Sequence, residues 1–188
     1  VGIGAGHEIL LKPHSNEKIY IRAFATDSSE EIGVETLGKI RAIQAELKAD
    51  GNAYAYAIRH EGDIDALGIK EENGRVLLYA EGGKVSISGK ISAKNETLQG
   101  GEIFASGNHV ELTRSAHLDV SGDLGGGIVD IGKNSTLCFI NEEALISASA
   151  TLEGNGGQIL CLSDGTTYFY GQGDVRGGEK GGNGGTIE

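Results

Sequence analysis

Side chains able to do acid–base chemistry are present in this sequence but are spread along it. Three carboxylates, Glu111, Asp119 and Asp130, are candidates for the acid and base of a polysaccharide-cleaving enzyme. Each lies in a different short segment in which apolar and polar residues alternate. If those segments are strands on different faces, the carboxylates do not converge, and the short turns between them leave no walls for a cleft. We therefore predict no catalytic residues and no enzyme activity.

The five histidines, His7, His14, His60, His109 and His117, do not have the spacing of a metal site. His109 and His117 fall in different strand segments without an H-x-x-x-H pattern, so we expect solvated, outward side chains. The G-G-x-G-x-D array that binds Ca²⁺ in β-rolls is also missing from the sequence. We predict no metal site.

The two cysteines, Cys138 and Cys161, are expected to be free thiols. Strand alternation places Cys161 inside the fold and Cys138 outside it. On that reading the two residues do not reach the Cα spacing of roughly 5.5 Å that a disulfide requires.

Glycine is the unusual component of the composition, with 32 residues of 188. Gly125, Gly126 and Gly127 raise the question of a phosphate-binding loop, but a strand segment follows them and no G-K-[ST] occurs. We therefore predict no cofactor. The single proline excludes collagen, and a net charge of −11 with few aromatic residues is unsuited to nucleic acid.

Many of the glycines recur in pairs that mark a structural repeat. Gly-Gly, or Asn-Gly in the first copy, begins at 73, 100, 125, 156 and 184, in steps of 27, 25, 31 and 28 residues. Each interval contains three short segments of alternating polarity, which are typical of strands. Three strands in 25–31 residues make one coil of a parallel β-helix, an all-β fold for which right-handed winding is the default. A β-sandwich also has short strands, but it does not require three-strand units in phase with glycine pairs.

The alternation predicts which side chains stack inside the coils. The first face is expected to stack Val76, Leu78, Ile103, Ala105, Ile128, Ile159, Cys161 and Ile187. The second face is expected to stack Val85, Ile87, Val110, Leu112, Leu137, Phe139, Tyr168 and Tyr170. The third face is expected to stack Ile64, Ala66, Ile91, Ala93, Leu118, Val120, either Leu145 or Ile146, and Val175. The expected outward residues are Lys84, Ser86, His109, Glu111, His117 and Asp119.

The N-terminal third follows the same rhythm less regularly. Two further coils are predicted from segments 7–12, 18–23 and 31–36, and from segments 39–43, 45–50 and 63–68. The Ala-rich stretch 51–60 favours a short helical insertion. Residues 29–50 are ambiguous between helix and strands, because Ile40, Ile43 and Leu47 also fit one face of a helix.

These segments predict one β-helix unit over residues 1–188, irregular with an insertion in 1–72 and regular in 73–188. The chain begins at Val1 and contains no Met. We therefore expect it to be a piece of a longer fibre.

Three stretches carry a resemblance to a known family. They are ADGNAYAYAIRHEGDIDALG (49–68) followed by NGRVLLYAEGGKVSISGKISA (73–93), then GGEIFASGNHVELTRSAHLDVSGDLGGGIVDIG (100–132), and GDVRGGEKGGNGGTIE (173–188). Together they resemble the β-helical region of filamentous haemagglutinin-type adhesins, which are the exoproteins of bacterial two-partner secretion. The resemblance covers residues 37–188 well and the first 36 residues weakly.

The resemblance implies export across the outer membrane, display at the cell surface or release from it, and a fibre that attaches to host cells or other surfaces. It implies host glycans or proteins as partners, and an outer-membrane transporter for the parent chain. The family's secretion module carries Asn-Pro motifs, whereas the only proline here, Pro13, follows Lys12. We therefore expect that module to lie outside this chain or to have diverged.

Two other functions remain open on the sequence: a passive spacer of the fibre, and a β-helical enzyme resembling pectin lyases. The unpaired strand edges at the ends of a stacked fold also predict end-to-end self-association, or fraying at 173–188.

Overall fold

The computed structural model describes residues 1–5, 8–13, 19–24, 33–50, 56–66 and 73–188. Within these residues all regular structure is β, and no helix is present that is long and apolar enough to cross a membrane. The strands are β1 Gly2–Ala5, β2 Glu8–Pro13, β3 Ile19–Phe24, β4 Val34–Thr36, β5 Lys39–Ala42, β6 Gln44–Asp50, β7 Tyr56–His60, β8 Asp63–Ala66, β9 Arg75–Ile87, β10 Lys90–Ser92, β11 Glu102–Leu112, β12 His117–Asp119, β13 Ile128–Ile131, β14 Leu137–Ile140, β15 Leu145–Ser147, β16 Gln158–Cys161, β17 Thr166–Phe169, β18 Gln172–Asp174 and β19 Thr186–Ile187.

The strands stack in three parallel columns, which confirms the parallel β-helix. The first face runs β1, β6, β9, β11, β13, β16, β19, the second runs β4, β7, β9, β11, β14, β17, and the third runs β5, β8, β10, β12, β15, β18. The long strands β9 and β11 each contribute to both the first and the second face, and the register shifts between Gly107 and His109. The first face therefore continues directly into the second in these two coils.

Stacked apolar side chains form one continuous core, as the alternation predicts. On the first face Val76 pairs with Ile103, and on the third face Ile91 pairs with Ile64 and Leu118, all fully buried. Each coil buries its inner side chains only against its neighbours, so stability depends on stacking. The choice between Leu145 and Ile146 falls on Ile146, which is buried, and Val175 packs half-buried against the core.

The predicted register is wrong by one residue at one point of the first face. Ile128 pairs with the outward Glu102, and Val129 and Ile131 point inward instead. The cause is the triplet Gly125-Gly126-Gly127, in which either pair of glycines fits the repeat. Gly127 stacks on Gly101, so the interval between these two coils is one residue longer than the 25 residues predicted from the sequence. Ile187 pairs with the inward Ile159 as expected, although its side chain is 44% exposed.

The second face differs from prediction in its last two coils. The inward residues of β14 are Cys138 and Ile140, because they continue the column of Val110 and Leu112. Leu137 and Phe139 therefore point outward. One coil further, Thr167 and Phe169 take the inward positions, which leaves Tyr168 outward and Tyr170 exposed at the corner after the strand.

Close backbone approach at the corner before the first face explains the paired glycines. A Cβ on Gly127 would lie 2.1 Å from the Gly101 carbonyl oxygen, and one on Gly101 would lie 2.0 Å from that of Gly74. No side chain fits at such distances, so glycine is required at these positions, whereas Ile43 occupies the equivalent corner in the coil of β6.

Loops of several residues leave the stack at the same corner, so the expectation of uniformly short turns is wrong. They span 94–100, 121–126 and 149–156, and they stack on one another as the strands do. The Asn95 amide donates to the Ser121 carbonyl at 3.0 Å, and the Gly122 amide donates to the Ser149 carbonyl at 3.1 Å. The result is a hydrogen-bonded ridge along one edge of the β-helix.

The N-terminal third departs most from prediction. Strands β2 and β3 form an antiparallel pair, so 7–12 and 18–23 are not successive sides of a coil. Strand β5 pairs with β8 on the third face and therefore closes one coil, while β6 opens the next. Residues 34–36, 39–42 and 44–50 are strands, which resolves the ambiguity there. The helix expected at 51–60 is wrong for 56–60, which form β7, and 51–55 lie outside the described residues.

Candidate functional site

The three carboxylates considered for catalysis lie on three different faces, as the strand register predicts. Glu111 is in the second-face part of β11, Asp119 is in β12 on the third face, and Asp130 is in β13 on the first face. Two carboxylates of a glycosidase must flank one bond within roughly 5–10 Å. Residues whose side chains leave three different outer surfaces do not provide that arrangement.

The histidines are also separated. His109 lies on the second face and His117 on the third, as expected. His7 and His14 are outside the described residues. Among the described residues, no three His, Cys, Asp or Glu side chains cluster in a way that could hold a metal ion.

His60 lies in strand β7 and not in a helix, and its side chain is fully buried in the core of the β-helix. Its Nδ1 lies 2.7 Å from the Thr36 hydroxyl in the coil below, and Nε2 lies 3.4 Å from the Lys90 carbonyl oxygen. Desolvation by burial lowers the pKa of His60, against smaller opposing effects of the Lys90 carbonyl and Asp63. The imidazole is therefore held neutral, and with Thr36 it forms a buried polar pair at the start of a column that continues with Ile87 and Leu112.

Both cysteines are buried free thiols, and the placement of Cys138 on the outside is wrong. Burial raises the pKa of Cys138 to about 11. Burial, together with the neighbouring Cys138 and Asp130, raises the pKa of Cys161 to about 12. Neither thiol has the thiolate character of a reactive cysteine.

The glycine triplet at 125–127 leads into β13, a strand, as predicted. Its Gly127 amide donates to the Val120 carbonyl at 2.8 Å and so closes the corner loop. The amide is therefore used inside the fold and is not presented to an anion.

The outer surface of the second face changes character along the fibre. Its first coils carry charges, with Arg59 paired to both Glu35, at 3.5 Å, and Glu61. The outward column then continues through Ser86 and Glu111 to two aromatic rings. The register places these residues one above another: Glu35, Arg59, Ser86, Glu111, Phe139 and Tyr168.

Phe139, Tyr168 and Tyr170 form an aromatic patch at the end of this column. The ring centroids of Phe139 lie 6.4 Å from Tyr168 and 5.9 Å from Tyr170, and the two tyrosine rings lie 6.1 Å apart with planes 18° from parallel. Tyr168 is 45% exposed and Tyr170 is 59% exposed. Three of the ten aromatic residues of the chain therefore meet on one solvent-facing surface.

A shallow groove of about 260 Å³ adjoins the aromatic patch on the same face. Phe139 and Leu137 form its apolar side, while Lys84, His109 and Glu111 supply polar groups. Partial burial, with a smaller contribution from Lys84, lowers the pKa of His109, so its imidazole is neutral near pH 7. Within the described part of the chain, the Glu111 carboxylate makes no hydrogen bond or ion pair.

The sequence did not predict this patch, because its alternation was interpreted with Phe139, Tyr168 and Tyr170 in the core of the second face. A signal for the correct register was present at the corner that follows each second-face strand. The inward residue before the corner is followed by a polar one at Ser88, Thr113 and Asn141. Aligning Asn141 with Thr113 turns Ile140 inward and Phe139 outward.

The chain is similar in structure to the HMW1 secretion domain from Haemophilus influenzae. The match has a TM-score of 0.76 at 22% sequence identity and covers 99% of this chain. It covers 51% of the other protein, so this chain spans about half the length of that structure. No protein-family model matches the sequence, and a search of curated proteins finds no match either.

At this identity the match shows a shared fold. It agrees with the parallel β-helix and with the fold of the exoproteins that the three sequence stretches resemble.

Proposed function

We propose that this chain is part of a bacterial exoprotein exported by the two-partner route and displayed at the cell surface or released from it. The structural match along 99% of the chain to a secretion domain carries the proposal. The resemblance of stretches 49–68, 73–93, 100–132 and 173–188 to the exoproteins of two-partner secretion supports it independently, because it lies in the amino-acid sequence and not in the fold.

The missing Asn-Pro motifs predict that the secretion module lies outside this chain or has diverged. Because the match lies within about half of a secretion domain, we propose instead that the chain forms about half of such a module and contacts the outer-membrane transporter. We keep right-handed winding and a single β-helix unit over residues 1–188 as parts of the same proposal.

We further propose that the displayed β-helix acts in attachment and is not an enzyme. The separation of Glu111, Asp119 and Asp130 on three faces supports the second part. The exposed aromatic patch supports the first, because solvent-facing aromatic clusters of this kind are typical of interaction surfaces.

Export is tested by expressing the chain, with a signal peptide and a C-terminal reporter, in bacteria with and without a two-partner transporter. The reporter should appear outside the cell only when the transporter is present. An unrelated β-helix of similar size with the same signal peptide and reporter is the control, and it should stay in the periplasm. Equal retention of both proteins would refute the export proposal.

A further inference from the structure

The aromatic patch and the adjoining groove form one continuous surface of mixed character. Phe139 belongs to both, because its ring contacts the two tyrosines and also lines the groove. The Phe139 ring therefore shares a single surface depression with a carboxylate, an imidazole and an ammonium group, and the two tyrosine rings lie beside it.

We propose that this surface, Phe139, Tyr168 and Tyr170 with the groove, binds an uncharged saccharide chain; the proposal rests on the attachment role and names its site and ligand class. A pyranose ring has an apolar face of C–H groups and a rim of hydroxyls. The aromatic rings pack against the apolar face, and the groove groups hydrogen-bond to the hydroxyls.

The polar groups of the groove fit hydroxyls better than they fit an ion. The Glu111 carboxylate accepts hydrogen bonds, the neutral His109 imidazole both donates and accepts, and Lys84 donates. One positive and one negative charge leave the groove nearly balanced, and the chain as a whole carries −11. An anionic polysaccharide would therefore be repelled at long range, while a neutral one would not.

The size of the surface also favours a saccharide over a folded protein partner. A groove of about 260 Å³ beside three rings accommodates a few sugar units. A stable protein interface needs about 800 Å² on each partner. Tyrosine loses little side-chain entropy on binding, so two exposed tyrosines provide contact area at low cost.

The test uses the ¹⁵N-labelled chain titrated with two neutral saccharides, lactose and N,N′-diacetylchitobiose, and with a heparin hexasaccharide as the anionic probe. We expect at least one neutral saccharide to shift the amide signals of β14 and β17 and to lose affinity at least tenfold in Tyr168→Ala/Tyr170→Ala. Glu111→Gln, which keeps the shape of the groove, should weaken binding severalfold. Tyr79→Ala, an exposed tyrosine on the first face, is the matched control and should bind as the unchanged chain does.

Binding of heparin alone, or no shift with either neutral saccharide at about 10 mM, ten times a millimolar Kd, would overturn the proposal. Loss of binding in Tyr79→Ala equal to that in the double variant would also overturn it. Attachment of the chain to host cells, measured in parallel, separates this proposal from the proposed function. If cells bind the chain but neither neutral saccharide does, the saccharide site is wrong while attachment stands; if neutral saccharides bind but cells do not, the site stands and the attachment role is wrong.

Discussion

Replacing Gly127 with alanine tests the claim that backbone contact between coils requires glycine at the corner before the first face. Gly127 does not have a positive φ, so an alanine there is not strained by backbone conformation. The added Cβ would lie 2.1 Å from the Gly101 carbonyl oxygen and 2.7 Å from the Gly100 carbonyl carbon. Both atoms are backbone, so no side-chain rotation relieves the contact.

The expected cost follows from the hydrogen bonds at this corner. Relief of the clash requires the two coils to separate by about 1 Å. The Ile128 amide donates to the Gly101 carbonyl at 3.0 Å, and the Gly127 amide donates to the Val120 carbonyl at 2.8 Å. Separation stretches the first bond directly and tilts the second, and each buried group left without a partner costs about 1–3 kcal/mol. We expect Gly127→Ala to lower the free energy of unfolding by about 3 kcal/mol or more.

Gly38→Ala is the matched control, because a Cβ on Gly38 meets no atom of the described residues within 4 Å and its φ is not positive. It should change the free energy of unfolding by less than about 0.5 kcal/mol. Urea unfolding followed by far-UV circular dichroism measures both, and hydrogen exchange at the Ile128 amide locates the damage. A Gly127→Ala chain with the urea midpoint of the unchanged protein and a protected Ile128 amide would refute the steric argument.

Three further predictions follow from buried or strained residues. Burial lowers the pKa of His60 below its ordinary 6.5, so as the pH falls the unfolded chain protonates this side chain before the folded chain does. The free energy of unfolding should therefore decrease below about pH 6.5. His60→Leu should reduce this pH dependence, measured by urea unfolding across the pH range. Cys138 and Cys161 should not react with a thiol reagent at pH 8 in the folded state and should give two equivalents in denaturant, since burial raises the pKa of both; rapid reaction of the native protein would contradict their burial. Asn134 has a φ of 61°, so Asn134→Val should cost about 1–2 kcal/mol in thermal unfolding while Asn134→Gly costs little, and equal effects would refute the role of that φ.

The stacked architecture could be predicted from the sequence because its cause is periodic. Inward side chains such as Val85, Ile91 and Leu118 alternate with polar residues that would be costly to bury, so only one phase is possible in those strands. The recurring glycines mark the corner by a steric requirement that no other residue meets. Both signals are local to a coil and repeat in every coil from Gly74 onward.

Connections between the strands were not predictable in the same way. Strands β2 and β3 contain the same alternation as the coil strands but pair antiparallel with each other. Alternation specifies that a segment is a strand and which side is apolar, but not which strand it pairs with. The ridge of corner loops was also not predictable, because its hydrogen bonds join backbone groups and do not require particular residue types.

The second-face register at β14 and β17 shows why apolar pattern alone failed. In β14 both sets of alternate residues, Leu137 with Phe139 and Cys138 with Ile140, are apolar. Burial alone favours turning the aromatic set inward, which is wrong, since burying a large aromatic side chain contributes about 2–3 kcal/mol. The corner geometry decides instead: the Thr136 amide donates to the Asn108 carbonyl at 2.8 Å, which aligns Cys138 with Val110. Phe139 and Tyr168 therefore point outward because of the pairing register of the parallel strands.

That register has a consequence for function. A polar side chain at position 168 or 170 would satisfy the ladder equally well, as Ser86 and Thr113 do at the corresponding positions of earlier coils, although Ser86 is buried rather than solvent-facing as predicted. Nothing in the packing of the β-helix therefore requires aromatic rings at these two outward positions. Their contact with Phe139 beside a groove that holds the Glu111 carboxylate, which has no partner among the described residues, is what the proposed ligand with apolar and hydroxyl surfaces would explain.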